Sequence, residues 1–296
     1  MKKVVKFCAI AVIIIVIAGL LLSKELLEDV GEGAGKLVTD VVKGYEGFEG
    51  YDIEDSTMFD RNQTVESGDL EREFQNLTAV RLDIELGGCE LEIQPSENEN
   101  VYITTENIGK FQAYQEEKEL KIKATRKAKE DTQSCKIILY LPVDYAWEKI
   151  SIEVGAGAVR IQKLTAAEIE LEVGAGQILA EYLEAQEADL SVGAGEIRVD
   201  DMKILNLNIS VGMGNFAGAG VIEGKAQAEC SMGNLSLRLA GAQTDYDYEI
   251  ECVMGNISLG DKKYNKKVQE QTINNGAGRK ISLECSMGNI EVTFAK

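Results

Sequence analysis

Three stretches set the fold: EVGAGAVRI at Glu153–Ile161, EVGAGQILA at Glu172–Ala180 and SVGAGEIRV at Ser191–Val199. Each begins nineteen residues after the last. The same frame continues as SVGMGNFAG from Ser210, and as the Met-Gly-Asn units ECSMGNLSL from Glu229, ECVMGNISL from Glu251 and ECSMGNIEV from Glu284. Its second glycines are Gly157, Gly176, Gly195, Gly214, Gly233, Gly255 and Gly288, with steps of 19, 19, 19, 19, 22 and 33. An earlier, looser copy surrounds Gly88. A fixed period of this length marks a repeat architecture.

Apolar residues alternate on both sides of each glycine pair, as in Ile150, Ile152, Val154, then Val159, Ile161. Period-two alternation predicts strands with one face inward. A unit of nineteen residues is too short for a propeller blade of about 40 residues, and too short for a βαβ crossover. The chain therefore reads as all-β, a single-domain β-solenoid of stacked ~19-residue coils with neighbours ~4.8 Å apart. The glycines are corners, where a chain sandwiched between copies of itself needs positive φ or no Cβ.

Other slots repeat too. The residue between the glycines changes from Ala156, Ala175 and Ala194 to Met213, Met232, Met254 and Met287. Methionine commonly fills irregular cores, so these are expected to point inward. Cys230, Cys252 and Cys285 occupy the slot of Val154, Val173, Val192 and Val211. Adjacent rungs lie within disulfide range, but parallel Cβ vectors disfavour the bond, so buried, reduced thiols are expected. Asn215, Asn234, Asn256 and Asn289 follow the second glycine and can form a hydrogen-bonded ladder. A row of amides for sugar hydroxyls is the functional alternative.

The start of the chain, residues 1–23, carries Lys2, Lys3 and Lys6 before an uncharged run from Phe7 to Leu22. It reads as an uncleaved transmembrane signal-anchor, with the rest of the chain extracytoplasmic. Residues 24–66 read as a linker; their GEGAGKLV lacks the phosphate-loop spacing. Residues 67–296 form the repeat domain, with irregular coils over 94–149, regular coils over 150–296 and a loop insertion at 260–280. That insertion holds Lys262, Lys263, Lys266 and Lys267, a basic patch suited to an anionic envelope polymer or lipid headgroup. The chain stops just after its last strand, which would leave an open edge for oligomerisation unless Tyr264–Lys280 folds over it.

The chemistry that is missing narrows the function. There is no histidine among 296 residues, and the net charge is -19. The first removes the commonest general base and zinc ligand. The second disfavours nucleic acid. The corners lack the aspartates of a calcium β-roll, and Asp83, Asp189, Asp200 and Asp201 are not expected to gather in one repeat slot. No cofactor, metal or enzyme activity is expected.

LTAVRLDIELGGCELEIQPSENENVYI (Leu77–Ile103), IILYLPVDYAWEKISIEVGAGAVRI (Ile137–Ile161) with its Leu141-Pro142, and the serial glycine units resemble a bacterial family whose members are called putative adhesins. The resemblance spans about Leu70 to Lys296. It implies a β-solenoid in cell-envelope proteins, often behind one N-terminal anchor, and brings no catalytic motif. The function expected is non-catalytic binding or scaffolding at the envelope. The second reading is a regulatory or envelope-stress accessory acting through a membrane partner.

Overall fold

The computed structural model describes residues 58–126, 134–265 and 268–295. The expected anchor, and Lys266 and Lys267, lie outside them. The described part is all-β: one 3-10 turn and nineteen strands in a single continuous sheet.

The first eight strands are β1 (Glu66–Phe74), β2 (Arg81–Gly87), β3 (Glu90–Ser96), β4 (Val101–Glu116), β5 (Glu119–Arg126), β6 (Lys136–Pro142), β7 (Lys149–Val154) and β8 (Ala158–Ile161). Next come β9 (Leu164–Val173), β10 (Gln177–Val192), β11 (Glu196–Val211), β12 (Asn215–Cys230) and β13 (Asn234–Ala240). The last six are β14 (Asp247–Cys252), β15 (Asn256–Leu259), β16 (Lys262–Asn265), β17 (Val268–Ile273), β18 (Lys280–Cys285) and β19 (Asn289–Ala295).

The nineteen-residue step is the pairing register. Gln177 faces Glu196 and Val192 faces Val211, in parallel, along the whole of β10 and β11. The connectors are not loops, because β10 to β12 are sixteen-residue strands that bend twice. The bends show where Glu181 and Gln186 drop out of the ladder. Each coil thus has three sides and one glycine corner.

In-register stacking turns the period-two pattern into inward rows. Leu86, Val154, Val173, Val192, Val211, Cys230, Cys285 and Cys252 form one of them, all buried. Burial of each large aliphatic side chain contributes about 1.5–3 kcal/mol. Where Phe216 intrudes, Gly218 vacates the next inward slot: a Cβ there would lie 2.9 Å from the Phe216 ring.

The corner glycines are required by close approach, since among the second glycines from Gly157 onward none has a positive φ. A Cβ on Gly174 would sit 2.9 Å from Gly155 O, and those on Gly176, Gly195, Gly214 and Gly233 closer still to the backbone of the coil before. Gly88 is the exception, with φ +86°. It also holds a different slot from the one expected. Leu86 faces Val154 and Glu90 faces Ala158, so Gly88 aligns with Ala156, and Cys89 takes the second-glycine position. Cys89 forms a disulfide there with Cys135 of the neighbouring coil, at a Cα separation of 5.0 Å. The bond closes a span of 46 residues. Its reduction is expected to cost about 2–4 kcal/mol, measurable as a lower urea midpoint in reductant.

Coil order in space is not chain order. The first coil, β2–β3, lies between β5–β6 and β7–β8, paired in parallel with both. The last coil, β18–β19, lies between the coil of β12–β13 and that of β14–β15. The chain therefore overshoots by one coil at each end and returns. Antiparallel strands then cover both ends: β4 over β5 and β6, and β16 and β17 over β15 and β14. Two sequence expectations change. Within 94–149, β4 is an antiparallel cover rather than a coil. And β19, paired on both sides, offers no free edge. Part of the 260–280 insertion is the strand pair that covers the outer coil.

Candidate functional site

The repeat slots gather candidate binding residues along one corner of the stack. Met213, Met232, Met287 and Met254 follow one another in spatial order, because Met232 N donates to Gly212 O, Met287 N to Ser231 O and Met254 N to Ser286 O. The expectation that they fill the core is wrong: they are 38, 38, 52 and 61 % exposed. The inward position belongs to the Val/Cys row just before the corner, so the residue between the glycines can only point out. Val253, in the slot of Gly212, is 53 % exposed and widens this ridge.

Beside the ridge runs the amide row. Asn234 Nδ2 donates to Asn215 Oδ1, Asn289 Nδ2 to Asn234 Oδ1 and Asn256 Nδ2 to Asn289 Oδ1, each at 3.0 Å. The order 215–234–289–256 repeats the spatial order of the coils. One donor and one acceptor of the central amides are consumed within the row, which makes it a structural ladder first. Asn265 faces Asn256 across the antiparallel β15–β16 pair, and the exposed Lys262 and Lys263 lie on the same strand.

On the other side of the ridge, Glu229, Glu284 and Glu251 stand in register. Burial, then the charges of Glu229 and Glu251, push the Glu284 carboxyl above its ordinary value. Further along the stack Glu172 is raised by burial and by Glu170. Asp83 is raised by burial, then by Glu85 and Glu119, against the pull of Lys123 and Lys121. A carboxylate raised in the folded state binds protons more tightly there than when unfolded. Its contribution therefore grows as pH falls from neutral through the raised value towards about 4.5, and is lost as pH rises. Glu284→Gln is expected to raise the urea midpoint at pH 7 and flatten its dependence between pH 5 and 7; an unchanged profile would contradict the repulsion.

Glu172 lies in the same row as Glu229, Glu284 and Glu251, so these carboxylates line one strand face in register. Among the described residues no group of His, Cys, Asp or Glu is arranged to hold a metal ion. Trp147 is buried at 5 % exposure and packs on Tyr145 at 4.8 Å. Tyr145 in turn donates its hydroxyl to Ala79 O at 2.6 Å. This pair braces the turn into β7, as expected of a core aromatic.

The sequence reading missed the carboxylate row. Its signal was visible as Glu at one fixed offset before the corner, and it became a row only through register.

Residues 79–220, just under half of the chain, match the family model described as Toastrack DUF4097, in line with the resemblance read from the sequence. No curated protein matches the chain. Solved structures similar to it include a putative adhesin from Bacteroides fragilis, with 12 % identity and TM-score 0.39 over 77 % of this chain and 97 % of that one. A putative lipid binding protein from Parabacteroides distasonis has 17 % identity and TM-score 0.40, covering 77 % and 97 %. A putative cell adhesion protein from Clostridium sporogenes has 12 % identity and TM-score 0.33, covering 78 % and 100 %.

Proposed function

We propose that the chain is a membrane-anchored, extracytoplasmic β-solenoid that binds or scaffolds, without catalysis, at the bacterial cell envelope. The Met ridge carries the reading. Four aligned methionines and Val253 expose apolar surface on a chain of net charge -19, and an apolar patch rimmed by polar residues marks an interaction site. Methionine adapts its shape to varied partners. The apolar run Phe7–Leu22 behind Lys2, Lys3 and Lys6 supports the anchor, and pairing offset by one coil supports the solenoid. Lys262 and Lys263 supply positive charge for an anionic envelope component.

Protease shaving of intact cells is expected to release fragments of residues 59–296; their protection would refute the placement. Met232→Glu with Met287→Glu is expected to abolish cross-linking to the envelope partner. Both side chains are exposed, so no core packing is lost and the variant should still unfold cooperatively. Retained cross-linking would place the binding face elsewhere.

A further inference from the structure

The seven methionines divide by their place in the fold. Met213, Met232, Met287 and Met254 stand on four successive rungs of the corner, at 38, 38, 52 and 61 % exposure. Met202 faces inward on β11 and is 1 % exposed. Met1 and Met58 lie outside the repeat. Adjacent rungs of a sheet are about 4.7–4.9 Å apart, so the four thioethers make one continuous strip of oxidisable sulfur at the surface.

The sulfur beneath that strip is guarded. Cys230, Cys252 and Cys285 are buried thiols. Cys230 Sγ donates to Gly233 O and Cys285 Sγ to Gly288 O, each at 3.1 Å. Burial, then the neighbouring Cys230 and Cys252, push the Cys285 thiol up to about 11. A cysteine reacts with peroxide as the thiolate, and here the thiolate is both scarce and covered. A thioether has no proton to lose, so exposure governs its reactivity.

We infer that Met213, Met232, Met254 and Met287 are a methionine-oxidation site, whose sulfoxides turn the apolar ridge polar and so release what it binds. The inference rests on the ridge being the binding face. The oxidant is a hydroperoxide, of which hydrogen peroxide is the simplest. A thioether lone pair attacks one peroxide oxygen and the O–O bond breaks. The hydroxide that leaves takes the proton of the transferred hydroxyl and ends as water. Sulfur is oxidised from thioether to sulfoxide, and peroxide is reduced to water. Two thiols of a sulfoxide reductase system reverse the step, leaving a disulfide and water.

The corner confines the change to the surface. None of the four methionines belongs to the buried core, and their backbone bonds to the neighbouring coil, such as Met232 N to Gly212 O, do not involve the side chain. A sulfoxide oxygen there meets water, so the coils stay packed. A partner that covers the same oxygen must strip water from a strong acceptor, which costs binding.

The test exposes cells making the full chain to hydrogen peroxide, with a photo-reactive benzoylphenylalanine in place of the exposed Val253. The wild-type chain is treated in parallel and mapped by mass spectrometry. Met202, Met213, Met232, Met254 and Met287 fall on separate tryptic peptides, 199–203, 204–225, 226–238, 239–262 and 281–296. The four ridge peptides are expected to gain one oxygen each while 199–203 stays unchanged, and the oxidised chain still unfolds cooperatively. The photo-cross-link to the envelope should fall at least about tenfold, the effect of covering an unpaired polar group. It should return when oxidised envelopes receive a sulfoxide reductase and dithiothreitol before irradiation. A chain carrying Met213→Leu, Met232→Leu, Met254→Leu and Met287→Leu keeps an apolar ridge and should hold its cross-link through the same peroxide. Met202 oxidised as fast as Met254, four sulfoxides with an undiminished cross-link, or equal loss in the leucine variant each overturns the inference. If Met232→Glu with Met287→Glu also leaves the cross-link in place, the binding reading itself has failed. If that variant loses it and the oxidised wild type keeps it, only the oxidation inference has.

Discussion

Gly195→Ala is expected to destabilise the chain by about 3 kcal/mol, and Gly195→Val to prevent folding, although the added groups are only one to three carbons. The clash is with backbone. A Cβ there would lie 3.1 Å from Gly176 N and from Gly176 C, and nearer still to Gly176 O. The peptide of the preceding coil cannot swing aside, because Glu196 N donates to Gly176 O at 3.1 Å and Gly195 N to Gly174 O at 3.0 Å. Overpacking against atoms that cannot yield typically costs about 1–3 kcal/mol, and more when backbone must shift. Ala194→Met, one residue away, is the internal control. It reproduces the outward slot of Met213 and should change stability by less than about 0.5 kcal/mol. Urea denaturation of the three variants decides the matter. A mild Gly195→Val would mean that the coils are not packed at the corner as described.

Truncation after Arg279 is expected to abolish cooperative folding of the C-terminal half. The removed segment carries Ile281, Leu283, Ile290 and Val292, all at or below 1 % exposure. Their burial alone contributes roughly 6–12 kcal/mol, which is comparable with the whole stability of a typical domain, about 5–15 kcal/mol. Position amplifies the effect. With β18–β19 gone, β12 and β13 lose their neighbours on one side, and β14 and β15 lose theirs on the other. Hydrogen exchange should show lost protection from β12 through β17, far from the cut in sequence. If the coils followed chain order, the same cut would shave one outer layer and leave Tyr248–Leu259 protected. Persistence of that protection would therefore contradict the intercalated arrangement.

Strand, corner and inward row were legible in the sequence because each depends on local spacing alone. Ile150, Ile152 and Val154 alternate because a strand turns successive side chains to opposite faces. Gly157, Gly176 and Gly195 recur because every coil meets the same close neighbour at the same point. The nineteen-residue step fixed the register of β10 on β11, and the slot shared by Val211 and Cys230 placed both in the core.

The facing of the methionines was decided by geometry within the corner. With Val211 inward and Gly212 and Gly214 held by close contact, Met213 is turned outward and 38 % exposed. Composition alone favoured the core for a residue of that kind.

Coil order was decided by tertiary structure, for a reason internal to the repeat. SMGN at Ser231–Asn234, VMGN at Val253–Asn256 and SMGN at Ser286–Asn289 present nearly the same edges. Each satisfies parallel pairing against either of the others, so the repeat cannot say which is neighbour to which. The longer steps of 22 and 33 residues allowed the overshoot without announcing it. The return of β18–β19 between its predecessors arises from what the ends require: Tyr246 and Tyr248 buried where the third side of the coil has run out, and β16 and β17 covering the edge that is left. The repeat dictates how any two coils meet. Only the closing of the ends dictates which two do.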